Sequence, residues 1–181
     1  MEIHWLAFPL HPETPEEGQT LEELFAGRPI SIPEVMARLL AVAEKEGLPF
    51  SADRTHTYNS RLAQELGKWA EEMGSGEEFH QAMFRAYFVD NLNIAQEEVL
   101  VAAAEQVGLP GGEAREVLRE RAYALVVEED WRYAREQQIM AVPTFVAGGR
   151  TVVGAQSYET LAQLIRNAAQ EEKGAGEERP I

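Results

Sequence analysis

The sequence predicts an α/β protein in which a block of helices interrupts a small sheet. Three observations carry that prediction. Ile3-His4-Trp5-Leu6-Ala7-Phe8 is a short β-branched and aromatic run stopped by Pro9, which reads as a strand. Segments of helical period then fill residues 20–138. Near the end, Pro143-Thr144-Phe145-Val146 and Thr151-Val152-Val153 flank Gly148-Gly149, a two-residue turn that reverses the chain into a β-hairpin. The order is strand, five or six helices, two strands and a helix, with no internal repeat.

After the first strand, His11 to Gly18 is a turn-rich loop punctuated by Pro12 and Pro15. A helix is expected from about Thr20 to Ala26, closed by Gly27. Ser31-Ile32-Pro33-Glu34 has the spacing of a capping box. It opens a helix with Val35, Leu39, Leu40 and Val42 on one side and a stop at Gly47. Leu48 to Tyr58 reads as irregular. Asn59-Ser60 can cap a helix through Leu62, Leu66, Trp69, Ala70 and Met73, and capping is the favoured role of Asn59. Gly74-Ser75-Gly76 breaks it. Glu77 to Phe88 follows, with a stripe of Phe79, Met83, Phe84, Tyr87 and Phe88 expected in the core of the helical block. Ile94 to Val107 and then one long helix from about Glu113 to Gln138 complete the block. Ser157-Tyr158-Glu159-Thr160 opens the last helix, through Leu161, Leu164, Ile165 and Ala168. The polar, Gly-containing segment after it reads as a disordered tail.

Composition narrows the functional classes. A formal net charge of -15 argues against a nucleic-acid partner, since phosphate binding needs clustered Lys and Arg. No apolar run approaches the roughly 18 residues of a membrane span. The first residues lack the basic and apolar regions of a signal peptide. The count of cysteines is 0, so these residues supply no disulfide, no thiolate ligand and no thiol nucleophile. That composition is compatible with the cytoplasm, the expected location. His4, His11, His56 and His80 show no close metal-ligand pairing, and no nucleophile-elbow or phosphate-loop glycine pattern occurs. No resident metal or cofactor is expected.

Proline cannot donate to a ladder, so Pro143 belongs at a strand's first residue, and the X-Pro bond before a strand is a place for a cis peptide. From these residues alone, a proline that merely opens a strand and one that follows a cis bond both stand open. Four stretches then carry a resemblance. They are Trp5 to Glu13; Leu48-Pro49-Phe50 with Tyr58-Asn59-Ser60 and the helix through Ala70; Met83 to Phe88 with Asn93-Ile94 and Glu98-Val99-Leu100; and Ala141 to Val146 with Gly154-Ala155-Gln156. In this order they resemble the DsbA-type thioredoxin-fold family, particularly its FrnE-like cytoplasmic branch, over residues 3–168.

That resemblance implies a thioredoxin-like (DsbA-type) α/β fold with a large inserted helical domain. Residues 1–30 and 139–170 would be its thioredoxin-like parts, 31–138 the mostly helical insertion, and 171–181 a disordered acidic tail. The family begins with a strand and a helix bearing a C-x-x-C pair, and this unit has no counterpart here. In the family that strand lies between the strand like Ile3–Phe8 and the cis-proline strand. A start upstream of Met1, a decayed gene, or another chain filling the gap would each account for it, and the first two are favoured.

By the same resemblance, the Val142-Pro143 bond is cis, Val142, Pro143 and Thr144 form the surface that meets an incoming peptide or thiol, and no residue of this chain is catalytic. Gly154, Ala155 and Gln156 are either a helix-entry turn, the favoured reading, or a contact for a thiol cofactor. The related κ-class glutathione transferases and hydroxychromene-carboxylate isomerases bind glutathione near that turn. The expected function is therefore a thiol–disulfide oxidoreductase family protein unable to do dithiol chemistry itself. The alternatives are a glutathione-linked isomerase or transferase, or a non-catalytic module that binds a peptide, a second copy or a partner strand. No nucleic acid or membrane partner is expected.

Overall fold

The computed structural model describes residues 3–177, with side chains to residue 170. Two compact units divide the chain, Met1–Trp131 and Arg132–Ile181. Among the described residues, no helix is long and apolar enough to cross a membrane.

The first unit is mostly helical. The expected strand over residues 3–8 does not form, because a ladder needs a neighbouring strand and none runs beside it among the described residues. Side chains hold its backbone instead. Lys68 Nζ donates to Trp5 O at 2.5 Å, Ala7 N donates to Asp130 Oδ2 at 2.8 Å, and Gln64 Nε2 donates to Phe8 O at 3.0 Å. Each bond satisfies a backbone group that a sheet would otherwise have paired.

Strand β1 (Gln19–Thr20) pairs antiparallel with β2 (His56–Thr57). The second strand lies within the stretch read as irregular; two residues are too few to show a period of two. Helix α1 (Leu21–Leu24) follows at once and is shorter than expected. Its N-cap Thr20 forms the capping box: Thr20 Oγ1 accepts from Glu23 N, while Thr20 N donates to Glu23 Oε2 at 2.8 Å. The box expected at Ser31 and Glu34 is absent. Pro33 removes one of the two N–H groups that an N-cap side chain reaches. A Thr20→Ala variant should lose about 1 kcal/mol in urea unfolding, and a Ser31→Ala variant much less.

Helix α2 (Ile32–Lys45) buries Met36 and Ala43, seven residues apart and therefore stacked on one face. The expected face of Val35, Leu39, Leu40 and Val42 is displaced from the buried one, and Leu39 and Val42 are 39% and 51% exposed. The core lies farther on, in α3 (Arg61–Glu72), α4 (Gly76–Phe88), α5 (Glu97–Gln106) and α6 (Gly111–Glu120). Leu66, Trp69, Phe79, Met83, Leu100, Val101, Ala114 and Leu118 close on one another there. The aromatic stripe of α4 splits. Phe79 and Met83 are core; Tyr87 and Phe88 are half-buried under the Arg54 guanidinium; Phe84 is exposed. Asn59 Oδ1 accepts from Arg61 N at the start of α3, and its amide donates to Thr14 O at 2.7 Å.

The long helix expected over residues 113–138 is two, α6 and α7 (Ala124–Glu136). Arg121 stands between them in the left-handed region, at φ 53° and ψ 40°. Its guanidinium gives two hydrogen bonds, of 2.7 and 2.6 Å, to the buried carboxylate of Glu65 on α3. Left-handed backbone costs an arginine about 1 kcal/mol, and a doubly bonded carboxylate offsets more than that. The turn sends α7 back along α3, where Glu128 meets Arg61, Asp130 meets Lys68 and Trp131 donates to Gln64.

In the second unit, β3 (Thr144–Ala147) pairs antiparallel with β4 (Arg150–Val153), and α8 (Tyr158–Glu177) packs on both strands. Gly148 and Gly149 have φ of 55° and 70°, the two positive values that a type I′ hairpin turn requires. Residues 171–177, expected in a disordered tail, are the last turns of α8. Ala, Glu and Lys there favour helix enough to carry Gly174 and Gly176. The rest of the expected tail lies outside the described residues.

Candidate functional site

The sequence-predicted positions all lie in the second unit, and the structure brings them to one place. The ladder starts at the pair Thr144–Val153, so Val142 and Pro143 precede β3 while Gly154 follows β4. Gly154 N donates to Pro143 O at 2.7 Å, tying the two chain ends together. The Val142-Pro143 peptide is cis. Thr144 Oγ1 donates to Ala141 O at 2.6 Å and closes the loop from the other side. Between these two ties Val142 is 46% exposed, and Pro143 is exposed as well.

Gly154 has φ of 86°, which a side chain would strain. A Cβ at this position would meet only Gln156 Nε2, at 3.9 Å, so the backbone angle is the reason for glycine. Gln156 turns its amide back to Val153 O at 2.7 Å. Ser157 Oγ then accepts from Thr160 N at 3.2 Å and caps α8. Gly154, Ala155 and Gln156 thus build the helix-entry turn, with Ala155 and Gln156 exposed.

Electrostatics decide what this junction can do. From Ile139 to Ser157 the sole charged residue is Arg150, beside the Gly-Gly turn at the opposite end of the hairpin. The Val142–Pro143 segment itself holds no acidic or basic side chain and offers backbone groups and apolar surface. Met140 and Tyr158 flank the junction in sequence and are 86% and 82% exposed, and sequence reasoning passed over both. Their signal was position: each lies two residues beyond a predicted site residue. Strand β3 pairs only with β4 among the described residues, leaving its other edge open.

The histidines do not converge. His80 Nε2 lies 3.1 Å from Glu71 Oε1 and its ring is 5.1 Å from that of Trp5, while His56 contacts Thr55 and stacks on Tyr58. Among the described residues no three His, Asp or Glu side chains are grouped as metal ligands.

Comparison with known proteins places this geometry. Residues 1–166 match the family model described as DSBA-like thioredoxin domain. The probable DsbA oxidoreductase SCO1869 of Streptomyces coelicolor superposes with a TM-score of 0.80 at 30% identity, over 95% of this chain and 74% of that one. A 2-hydroxychromene-2-carboxylate isomerase superposes with a TM-score of 0.66 over 78% of this chain and 69% of its own, and at 17% identity it shares the fold alone. The uncharacterized protein YwbO of Bacillus subtilis is 28% identical over 168 residues, 91% of this chain and 81% of that protein.

Proposed function

We propose, from the premise that the chain belongs to the DSBA-like thioredoxin domain family, that its 181 residues carry the ligand-binding part of a thiol–disulfide oxidoreductase scaffold. They bind an extended peptide, or a small thiol, at the Val142–Pro143 loop. They contribute no thiol to the exchange. The supporting observation is the bond from Gly154 N to Pro143 O, which fixes the loop while Val142 stays open to solvent. Peptide recognition of this kind rests on backbone pairing along an open edge, with side-chain contacts adding specificity. Thr144–Ala147 offers such an edge next to the loop. Disulfide exchange needs an attacking thiolate, and the sequence has 0 cysteines to form one. Both sets of candidate residues share one junction, so glutathione at the Gly154–Gln156 turn and a peptide at the Val142 loop would compete.

Amide chemical-shift titration tests this reading. An extended apolar peptide should shift the resonances of residues 140–146 and 153–156, and glutathione should displace it. Val142→Asp should weaken peptide binding about tenfold without unfolding an already exposed position. In an insulin-reduction assay the same chain should show no turnover. Peptide-induced shifts confined to the first unit, or unaltered affinity in Val142→Asp, would sink the proposal.

A further inference from the structure

The open face of α2 carries an inference that is independent of the hairpin and lies wholly in the first unit. Leu39 and Val42 are 39% and 51% exposed on this helix, and Val35 is half-buried beside them. Just outside the two ends of α2, Ile30 and Leu48 are 39% and 62% exposed. Ile30 and Leu48 stand at equal sequence distance from Leu39. Val35 and Val42 straddle nearly the same centre, and Glu34 and Lys45 do so with opposite charge. At helical period, Glu34, Arg38 and Lys45 lie together along one border of the Val35–Leu39–Val42 stripe.

In an antiparallel pair about a two-fold axis residue i of one copy meets residue j of the other and j meets i, so a pattern that reads alike from both ends is self-complementary. We infer that α2 is a contact surface for a second copy of this chain, packed antiparallel about Leu39. In that arrangement Ile30 meets Leu48 of the other copy, Val35 meets Val42, and Glu34 meets Lys45. The charges are free to do so. Among the described residues Glu34 and Arg38 make no ion pair, and Lys45 reaches only its neighbour Glu46, at 3.9 Å.

Net charge favours this face over others. The whole chain carries -15, which opposes self-association across most of the surface. Residues 30–48 hold Glu34, Glu44 and Glu46 against Arg38 and Lys45, so α2 is close to neutral. A single helix pair buries less than the roughly 1,200 Å² of a standard interface, so the dimer is weak and concentration-dependent.

Sedimentation velocity at about 0.15 M salt, from roughly 10 μM to 1 mM chain, tests the inference. The expected result is a monomer–dimer equilibrium. Leu39→Glu should leave only monomer. Glu34→Lys, at an exposed position where the fold tolerates it, should weaken the dimer about tenfold by setting two like-charged pairs across the axis. Adding Lys45→Glu to that variant restores opposite pairing and should recover the affinity. Monomer at every wild-type concentration would overturn the inference. A dimer indifferent to Leu39→Glu, or a double variant no tighter than Glu34→Lys alone, would also overturn it.

Discussion

Replacing Glu65 with alanine should cost about 3 kcal/mol of folding stability, measured by urea unfolding. Glu65 is 1% exposed, on the inner face of α3. It accepts one hydrogen bond from Arg61 and two from Arg121, all between 2.6 and 2.9 Å. Removing the carboxylate would strand the Arg121 guanidinium, which is 46% exposed, and leave Arg61, 26% exposed, with Glu128 as its remaining partner. Water can partly rehydrate them, which puts the cost at the low end for a broken buried pair. The variant would also lose what holds Arg121 in left-handed backbone, so the α6–α7 turn should open first. Glu65→Gln keeps the shape and should cost less. A loss below about 1 kcal/mol in Glu65→Ala would show that the arginines find other partners.

The same carboxylate sets an acid limit. Burial by itself raises the Glu65 pKa, but the hydrogen bonds from Arg121 and Arg61 outweigh it and hold the group below its ordinary 4.5. A carboxyl depressed in the folded state contributes stability that is complete above its unfolded pKa and lost as pH falls through the folded one. Wild-type stability should therefore decline below about pH 4.5 more steeply than that of Glu65→Gln, whose curve lacks this contribution.

Glu65 also marks where sequence reading stops. Residues 113–138 contain helix formers, and the break between α6 and α7 falls at Arg121, whose guanidinium bonds a carboxylate 56 positions earlier. Local chemistry cannot show a partner that distant. The hairpin was legible for the opposite reason. Pro143, Gly148-Gly149, Gly154 and Ser157 each act on their immediate neighbours, and all four occupy the positions their chemistry predicts. Residues 3–8 had strand composition but no neighbour to pair with, so Lys68, Asp130 and Gln64 took over the backbone. At residue 31 a correct capping pattern met Pro33, while the box itself formed at Thr20 and Glu23. The candidate site was readable because it is a local junction. That the chain has no thiol was readable from composition.

The second large effect belongs to Phe79, where sequence alone could not separate it from Phe84. Both stand in one aromatic stripe of α4, yet Phe79 is 0% exposed and Phe84 is 51% exposed. The Phe79 ring lies against the backbone of α3 at Gly67, where an added Cβ would sit 3.9 Å from two ring carbons. Leu66 and Leu100, also 0% exposed, belong to the same cluster, held by four helices that cannot all move inward together. Truncation there leaves a cavity that collapses little. Phe79→Ala should cost about 4 kcal/mol, a large share of the roughly 5–15 kcal/mol that holds a domain together. Phe84→Ala should cost under about 1 kcal/mol. Urea unfolding of the two variants, with midpoints shifted and slopes unchanged, measures both. Equal losses would mean that the face α4 turns to α3 is not the one described.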